Sequence, residues 1–101
     1  MNFGMTKEQF SLLNELVITP LKKKNLRVFI FGSRVTGKHH SHSDVDLLYK
    51  SDSKVILPSG FLSQIKESIE ESRFPFTIDL VAEEDLVSSY KQSVVSSMVE
   101  L

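Results

Sequence analysis

The sequence has no cysteine. That absence excludes thiolate nucleophiles, cysteine-based zinc sites and a disulfide framework. Small secreted domains commonly depend on disulfides, so a reducing compartment, the cytoplasm, is expected. A surplus of basic charge is also missing. Lys+Arg is 12 against Asp+Glu 13, for a formal charge of -1, which argues against a surface that holds nucleic acid by bulk attraction. Residues 1–8 lack the basic-then-apolar pattern of a signal peptide. No apolar run approaches the roughly 20 residues that span a bilayer. Glycine and proline are scarce, at four and three residues, and no linker, repeat or low-complexity tract is visible. What remains is a chain of 101 residues, 41% hydrophobic and 25% charged. This is the composition of one small globular domain, 1–101, with a thin stability margin.

Thr6-Lys7-Glu8-Gln9 has the spacing of a capping box, and Phe10, Leu13, Leu16 and Val17 then recur at helical spacing. Pro20 predicts a break in that helix and a short restarted turn. Lys22-Lys23-Lys24 reads as a solvated last turn that suits the negative end of the helix dipole, or as a contact to a polyanion or an acidic partner. Leu26 to Phe31 reads as a strand covered on both faces, ended by Gly32. Asp44 to Tyr49 is a second strand. Phe61, Leu62, Ile65 and Ile69 mark an amphipathic helix with Lys66, Glu67, Glu70 and Glu71 on its wet side. Pro75 prepares a third strand, Phe76 to Val81. A last helix is expected from Glu83 to about Ser93, with Leu86, Val87, Tyr90 and Val94 as its apolar stripe; Met98 to Leu101 is a frayed helix end or a short edge strand. The order predicts an α/β (α+β) domain with a small mixed β-sheet flanked by helices.

Three features carry chemistry. Gly32-Ser33 follows a buried strand directly, where glycine permits a sharp turn and Ser33 opens a short helix whose first N–H groups are free for an anion. Asp44 and Asp46 are two apart in a strand, so their carboxylates share a face. Such a pair repels itself unless a cation lies between, and Mg²⁺ takes one or two carboxylates together with substrate phosphates. Asp79 sits inside the apolar strand Phe76–Val81, a costly place for a carboxylate that is not paired, hydrogen-bonded or on a metal. If the two strands are neighbours, three carboxylates meet in the layout of a two-metal site.

Two other motifs fail. Gly32-Ser33-Arg34-Val35-Thr36-Gly37-Lys38 follows a P-loop up to its last position, where His39 stands in place of the Mg²⁺-binding Ser or Thr, and no long helix follows. His39, His40 and His42 crowd one loop, but their spacing matches no closed zinc site. Arg34 and Lys38 are expected to contact phosphate oxygens, Arg34 through its fork and Lys38 as a point charge, or else to be solvated loop cations.

Gly32-Ser33, ten intervening residues, then Asp44-Val45-Asp46 resembles the Gly-Ser-x10-Asp-x-Asp signature of the minimal nucleotidyltransferases in the DNA polymerase β-like superfamily. Phe31 to Lys38 and Ser43 to Leu47 are similar to that family's core segment, and Phe76 to Val81 to its strand with the third carboxylate. The resemblance covers roughly Leu13 to Met98. It implies a polymerase β-like fold and transfer of a nucleoside monophosphate, AMP from ATP, with release of pyrophosphate. Asp44 and Asp46 would bind two Mg²⁺ ions, and Asp79 would complete the reactive-metal site and orient the acceptor hydroxyl. Gly32 and Ser33 would grip the β- and γ-phosphates, with Arg34, Lys38 and Ser43 as further nucleotide contacts. It also implies pairing with a helical HEPN-type toxin, AMP being attached to a toxin tyrosine, in a toxin–antitoxin system.

A chain this short is expected to take its acceptor specificity from a partner subunit. The partner contact is expected on the outer edge of the last helix, where Tyr90 and Lys91 lie. A rival reading is a non-catalytic antitoxin or subunit that binds nucleotide and acts by occluding its partner. Polymerase or tailing activity is disfavoured by the charge and the lack of a second domain.

Overall fold

The computed structural model describes residues 2–40, 42–51 and 54–101. Met1 and Ser41, which fall within the expected N-terminal and loop readings, lie outside the described residues.

The capping box forms as its spacing requires. The Thr6 hydroxyl accepts from the Gln9 N–H at 3.1 Å, and the Gln9 side chain accepts from the Thr6 N–H at 2.8 Å. Helix α1, Lys7–Leu13, starts there. Pro20 does not break the element. The backbone runs through a π-helical turn, Asn14–Ile18, into α2, Thr19–Lys22, with helical dihedrals at both junctions. The reason is local: Pro20 lacks an N–H and would crowd the preceding turn. One widened turn, in which the Thr19 N–H donates to the Asn14 carbonyl, accommodates it.

Strands β1, Arg27–Phe31, and β2, Val45–Lys50, run antiparallel with Phe31 opposite Asp46. Between them lies the single turn α3, Ser33–Thr36. Helix α4, Phe61–Glu70, then crosses over to β3, Ile78–Ala82, which pairs parallel with β2 and places Asp79 beside Asp46. A 3₁₀ turn, Glu83–Asp85, leads to α5, Ser88–Ser97, and β4, Val99–Glu100, pairs antiparallel with β1. The sheet order is β3-β2-β1-β4, a mixed sheet as expected. The ambiguous C-terminus resolves as an edge strand. Arg27 clamps it there, Nη2 and Nε each donating to a Glu100 carboxylate oxygen at 2.9 Å, and this holds the Glu100 carboxyl below its usual range.

Strand alternation divides the core. Val28, Ile30, Val45 and Leu47 point to one face, where they meet Leu13, Val17, Leu21 and Ile65 from α1, the π turn, α2 and α4. Phe29, Phe31 and Leu48 point to the other, where Val94 of α5 covers them with Leu86 and Met98. The expected stripe of the last helix is corrected. The helix begins at Ser88, not Glu83, because Ala82, Leu86 and Val87 are all extended. Of the stripe only Val94 is buried; Val87 and Tyr90 are 71% and 52% exposed. α5 therefore covers only part of its face, and the row Phe31–Asp46–Asp79 lies on that face. No helix among the described residues is long and apolar enough to cross a membrane.

Candidate active site

The site is assembled by pairing. Because β1 and β2 are antiparallel, the end of β1 and the start of β2 meet, so Gly32 and Asp46 come together although residues 33–45 separate them. The ten residues between Ser33 and Asp44 are α3 and the polar loop. Because β3 is parallel to β2, Asp79 enters the same row from the other side. Gly32 is held at φ 84°, ψ -157°, a region that side chains disfavour. A Cβ on it would overlap the Asp46 carboxylate. Two independent constraints thus require glycine.

The Asp46 carboxyl is pushed up to about 6, first by burial, then by the charges of Asp79 and Asp44 and by a side-chain hydrogen bond with Asp79. Asp44 and Asp79 are exposed and Asp46 is half-buried. Burial thus does most to disfavour the charged form, and repulsion from the neighbouring carboxylates adds to it. The donor chemistry fits hard divalent cations, because Asp46 and Asp79 are carboxylates paired across neighbouring strands beside a cleft open to solvent. Among the described residues no three carboxylates or imidazoles close round one point. The strands are neighbours as the sequence reading required, but the closed three-carboxylate cluster expected from it is not formed by the side chains of the empty protein.

The structure gives two of the expected phosphate contacts a different place. Arg34 is turned inward and only 3% exposed. Its Nε and Nη2 donate to the Ser43 carbonyl at 3.2 and 2.7 Å, its Nη1 donates to the Phe3 carbonyl at 2.9 Å, and its guanidinium lies 4.3 Å from the Phe76 ring centre. The five donors of a guanidinium are therefore largely committed to the protein itself. Burial lowers its pKa, and Asp44 draws it back upward. Ser43 is buried too, its hydroxyl accepting from the His40 N–H at 2.9 Å. Ser33 is half-buried beside Gly32, while Lys38 is exposed on the loop. His39 packs under Gly4, and His40 Nδ1 accepts from the His42 N–H, so the three histidines form no ligand set.

Beside the carboxylates an open cleft of about 350 Å³ is lined by Phe31, Asp46, Asp79, Leu86, Tyr90 and Lys66, among others. Phe31 and Leu86, its apolar walls, read from the sequence as strand and stripe residues and not as part of the site. The alternation Phe29–Phe31 puts both on one face, but only the cross-strand register shows which face that is. A larger groove of about 690 Å³ lies among the helices of the opposite layer, against Pro20, Lys23, Lys24 and Phe61. It lies away from the three aspartates. Of the basic run, Lys22 and Lys23 are exposed and Lys24 lies over the Phe61 ring.

A curated protein from Haemophilus influenzae named Probable protein adenylyltransferase MntA is 41% identical over 56 residues, 54% of this chain. The matched segment spans about half, 46%, of that relative's length. The fold is similar to one described as "Crystal structure of the toxin-antitoxin with AMP-PNP", with a TM-score of 0.62 and 21% identity, over 86% of this chain and 70% of that one. The sequence profile of the Polymerase beta, Nucleotidyltransferase family matches residues 15–101, and these residues include Gly32, Asp44, Asp46 and Asp79; the chain belongs to that family.

Proposed function

We propose that the chain transfers AMP from ATP to a hydroxyl acceptor, with Mg²⁺ as cofactor. The observation that carries this reading is the row in which Asp46 stands beside Asp79 across parallel strands while Gly32 leaves room for the Asp46 carboxylate. Two Mg²⁺ ions, when bound, neutralise the phosphates and lower the cost of forming the attacking oxygen. Asp44 and Asp46 hold them, and Asp79 adds a carboxylate on the acceptor side. Gly32 and Ser33 hold the β- and γ-phosphates, and Lys38 adds a point charge. Asp79 orients the acceptor hydroxyl. Its oxygen forms the bond to the α-phosphorus, the α–β phosphoanhydride bond breaks, pyrophosphate leaves and the hydroxyl proton passes to carboxylate or solvent.

A protein acceptor is supported by the name of the Haemophilus influenzae relative, and an adenine nucleotide by the AMP-PNP in the structural neighbour. The toxin–antitoxin description of that neighbour supports a protein partner. We extend this to a tyrosine of a HEPN-type toxin encoded nearby, with the cytoplasm as the compartment. Incubating the chain with α-labelled ATP, Mg²⁺ and the product of the adjacent open reading frame tests it. Label on the partner, lost with EDTA and with Asp44→Asn, is the expected result; no label on any acceptor overturns the reading.

A second reading is favoured by the exposed flank of α5, where Val87, Tyr90 and Val95 are 71%, 52% and 42% exposed. On it, the chain is a nucleotide-binding antitoxin that works by covering its partner. Asp44→Asn separates the two, since occlusion survives it and transfer does not.

A further inference from the structure

Arg34 is a buried charge with no buried carboxylate beside it among the described residues. It joins four segments. Its backbone belongs to α3, its fork grips the Ser43 carbonyl through Nε and Nη2, its Nη1 reaches the Phe3 carbonyl, and its plane lies on Phe76, just before β3. Ser43 precedes Asp44 directly. Its carbonyl belongs to the planar peptide that ends at the Asp44 Cα, so holding that oxygen restrains the plane from which Asp44 departs. Ser43 is tied again by its N–H to the His40 carbonyl at 3.1 Å and by its hydroxyl to the His40 N–H. On the other side, the Val45 N–H donates to the Thr77 carbonyl at 2.8 Å. Asp44 is exposed, yet both its neighbours are anchored. The N-terminal segment closes the assembly: Gly4, at φ +80°, leaves no room for a Cβ against His39 and Arg34.

Burying a guanidinium to pin a loop is costly unless its particular geometry is used. Two N–H donors converging on one carbonyl oxygen fix its position in the guanidinium plane, which a lysine ammonium does not reproduce.

We infer that Arg34 is a positioning residue for nucleotidyl transfer: its fork on the Ser43 carbonyl orients Asp44 toward the metal. This rests on the proposed function. Arg34 touches neither nucleotide nor acceptor and acts through Asp44.

The test uses the full chain with Arg34→Lys and Phe76→Leu. Transfer is measured against Mg²⁺ at saturating ATP and against ATP at saturating Mg²⁺. Mg²⁺ binding in the presence of AMP-PNP is measured by calorimetry, and folding by circular dichroism. Arg34→Lys should lower kcat by about 10–100-fold and weaken Mg²⁺ binding by about 10-fold, the usual cost of losing a residue that orients a metal ligand. KM for ATP should change much less, and Phe76→Leu should shift both metal readouts the same way by less. A merely structural tie lowers the folded fraction, which scales amplitudes and leaves the Mg²⁺ midpoint unmoved; that result overturns the inference. If Arg34→Lys does not fold, Phe76→Leu decides on the same midpoint. A wild-type chain that neither transfers nor binds Mg²⁺ with AMP-PNP overturns the proposed function, and the inference falls with it. A wild-type chain that does both, with unshifted variants, overturns the inference alone.

Discussion

Gly32 lacks a side chain where the carboxylate of Asp46 stands. The turn that ends β1 and the acid on β2 thus compete for one space, and Gly32 cannot gain a side chain while Asp46 keeps its place. This explains why a sharp turn and an aspartate fourteen positions apart in sequence act as one unit.

Gly32→Ala should therefore lose both activity and stability. The positive φ costs about 1–3 kcal/mol, and the methyl displaces Asp46. Transfer should fall by at least about 100-fold. Urea unfolding and single-turnover transfer check this; a variant with a wild-type rate would show that Asp46 has another position available.

Asp46 predicts a pH dependence in the protein without metal. Its carboxyl is raised from 3.8 to about 6 in the fold, so the folded state holds a proton that the unfolded chain releases. Its contribution is most favourable below about 4 and is lost as pH rises to about 6. The effect is on the order of 1 kcal/mol after solvent screening. Asp46→Asn should flatten this part of the curve and leave the empty protein at least as stable at pH 7, while abolishing transfer. Unfolding midpoints at pH 4 and pH 7 for both proteins decide the matter; parallel curves would sink the assignment.

Asp79→Ala should reduce turnover more than nucleotide affinity, since the proposed function puts Asp79 on the acceptor side and leaves the triphosphate to Asp44, Asp46 and the Gly32–Ser33 turn. We expect kcat to drop by about 100-fold or more with a much smaller change in AMP-PNP affinity. Collapse of AMP-PNP binding in a calorimetric titration would reassign Asp79 to ground-state binding.

Tyr90 lines the reactive cleft and is half exposed on α5, with Lys91 next to it. Tyr90→Ala and Lys91→Glu should weaken capture of the protein partner while shifting monomer stability by no more than about 0.5 kcal/mol, as surface changes usually do. If both variants co-purify with the partner as tightly as wild type, the contact lies on another face.

Local chemistry was legible from the residues. The Thr6–Gln9 box, strands β1, β2 and β3 to within two residues, and the need for glycine at position 32 all follow from periodicity, side-chain donors and steric space over a few bonds. The course of the chain through Pro20 was not, because a π turn and a broken helix leave the same sequence mark. The late start of α5 was missed for a similar reason: Leu86 and Val87 fit a helical stripe, but Leu86 instead packs on Val94 and the Phe29–Phe31 face from an extended segment.

By itself the sequence determined which residues could carry the chemistry, since alternation in a strand and the conformational freedom of glycine are properties of the local chain. Only the tertiary structure decided that Asp79 stands opposite Asp46, that Arg34 faces Ser43 and Phe3 instead of solvent, and that α5 leaves the carboxylate row uncovered. The register of β3 against β2 is set across the α4 crossover, and the direction of Arg34 by carbonyls 9 and 31 residues away. Such pairings are fixed by which surfaces bury one another, a long-range balance of packing and hydrogen-bond satisfaction that no short window of sequence contains.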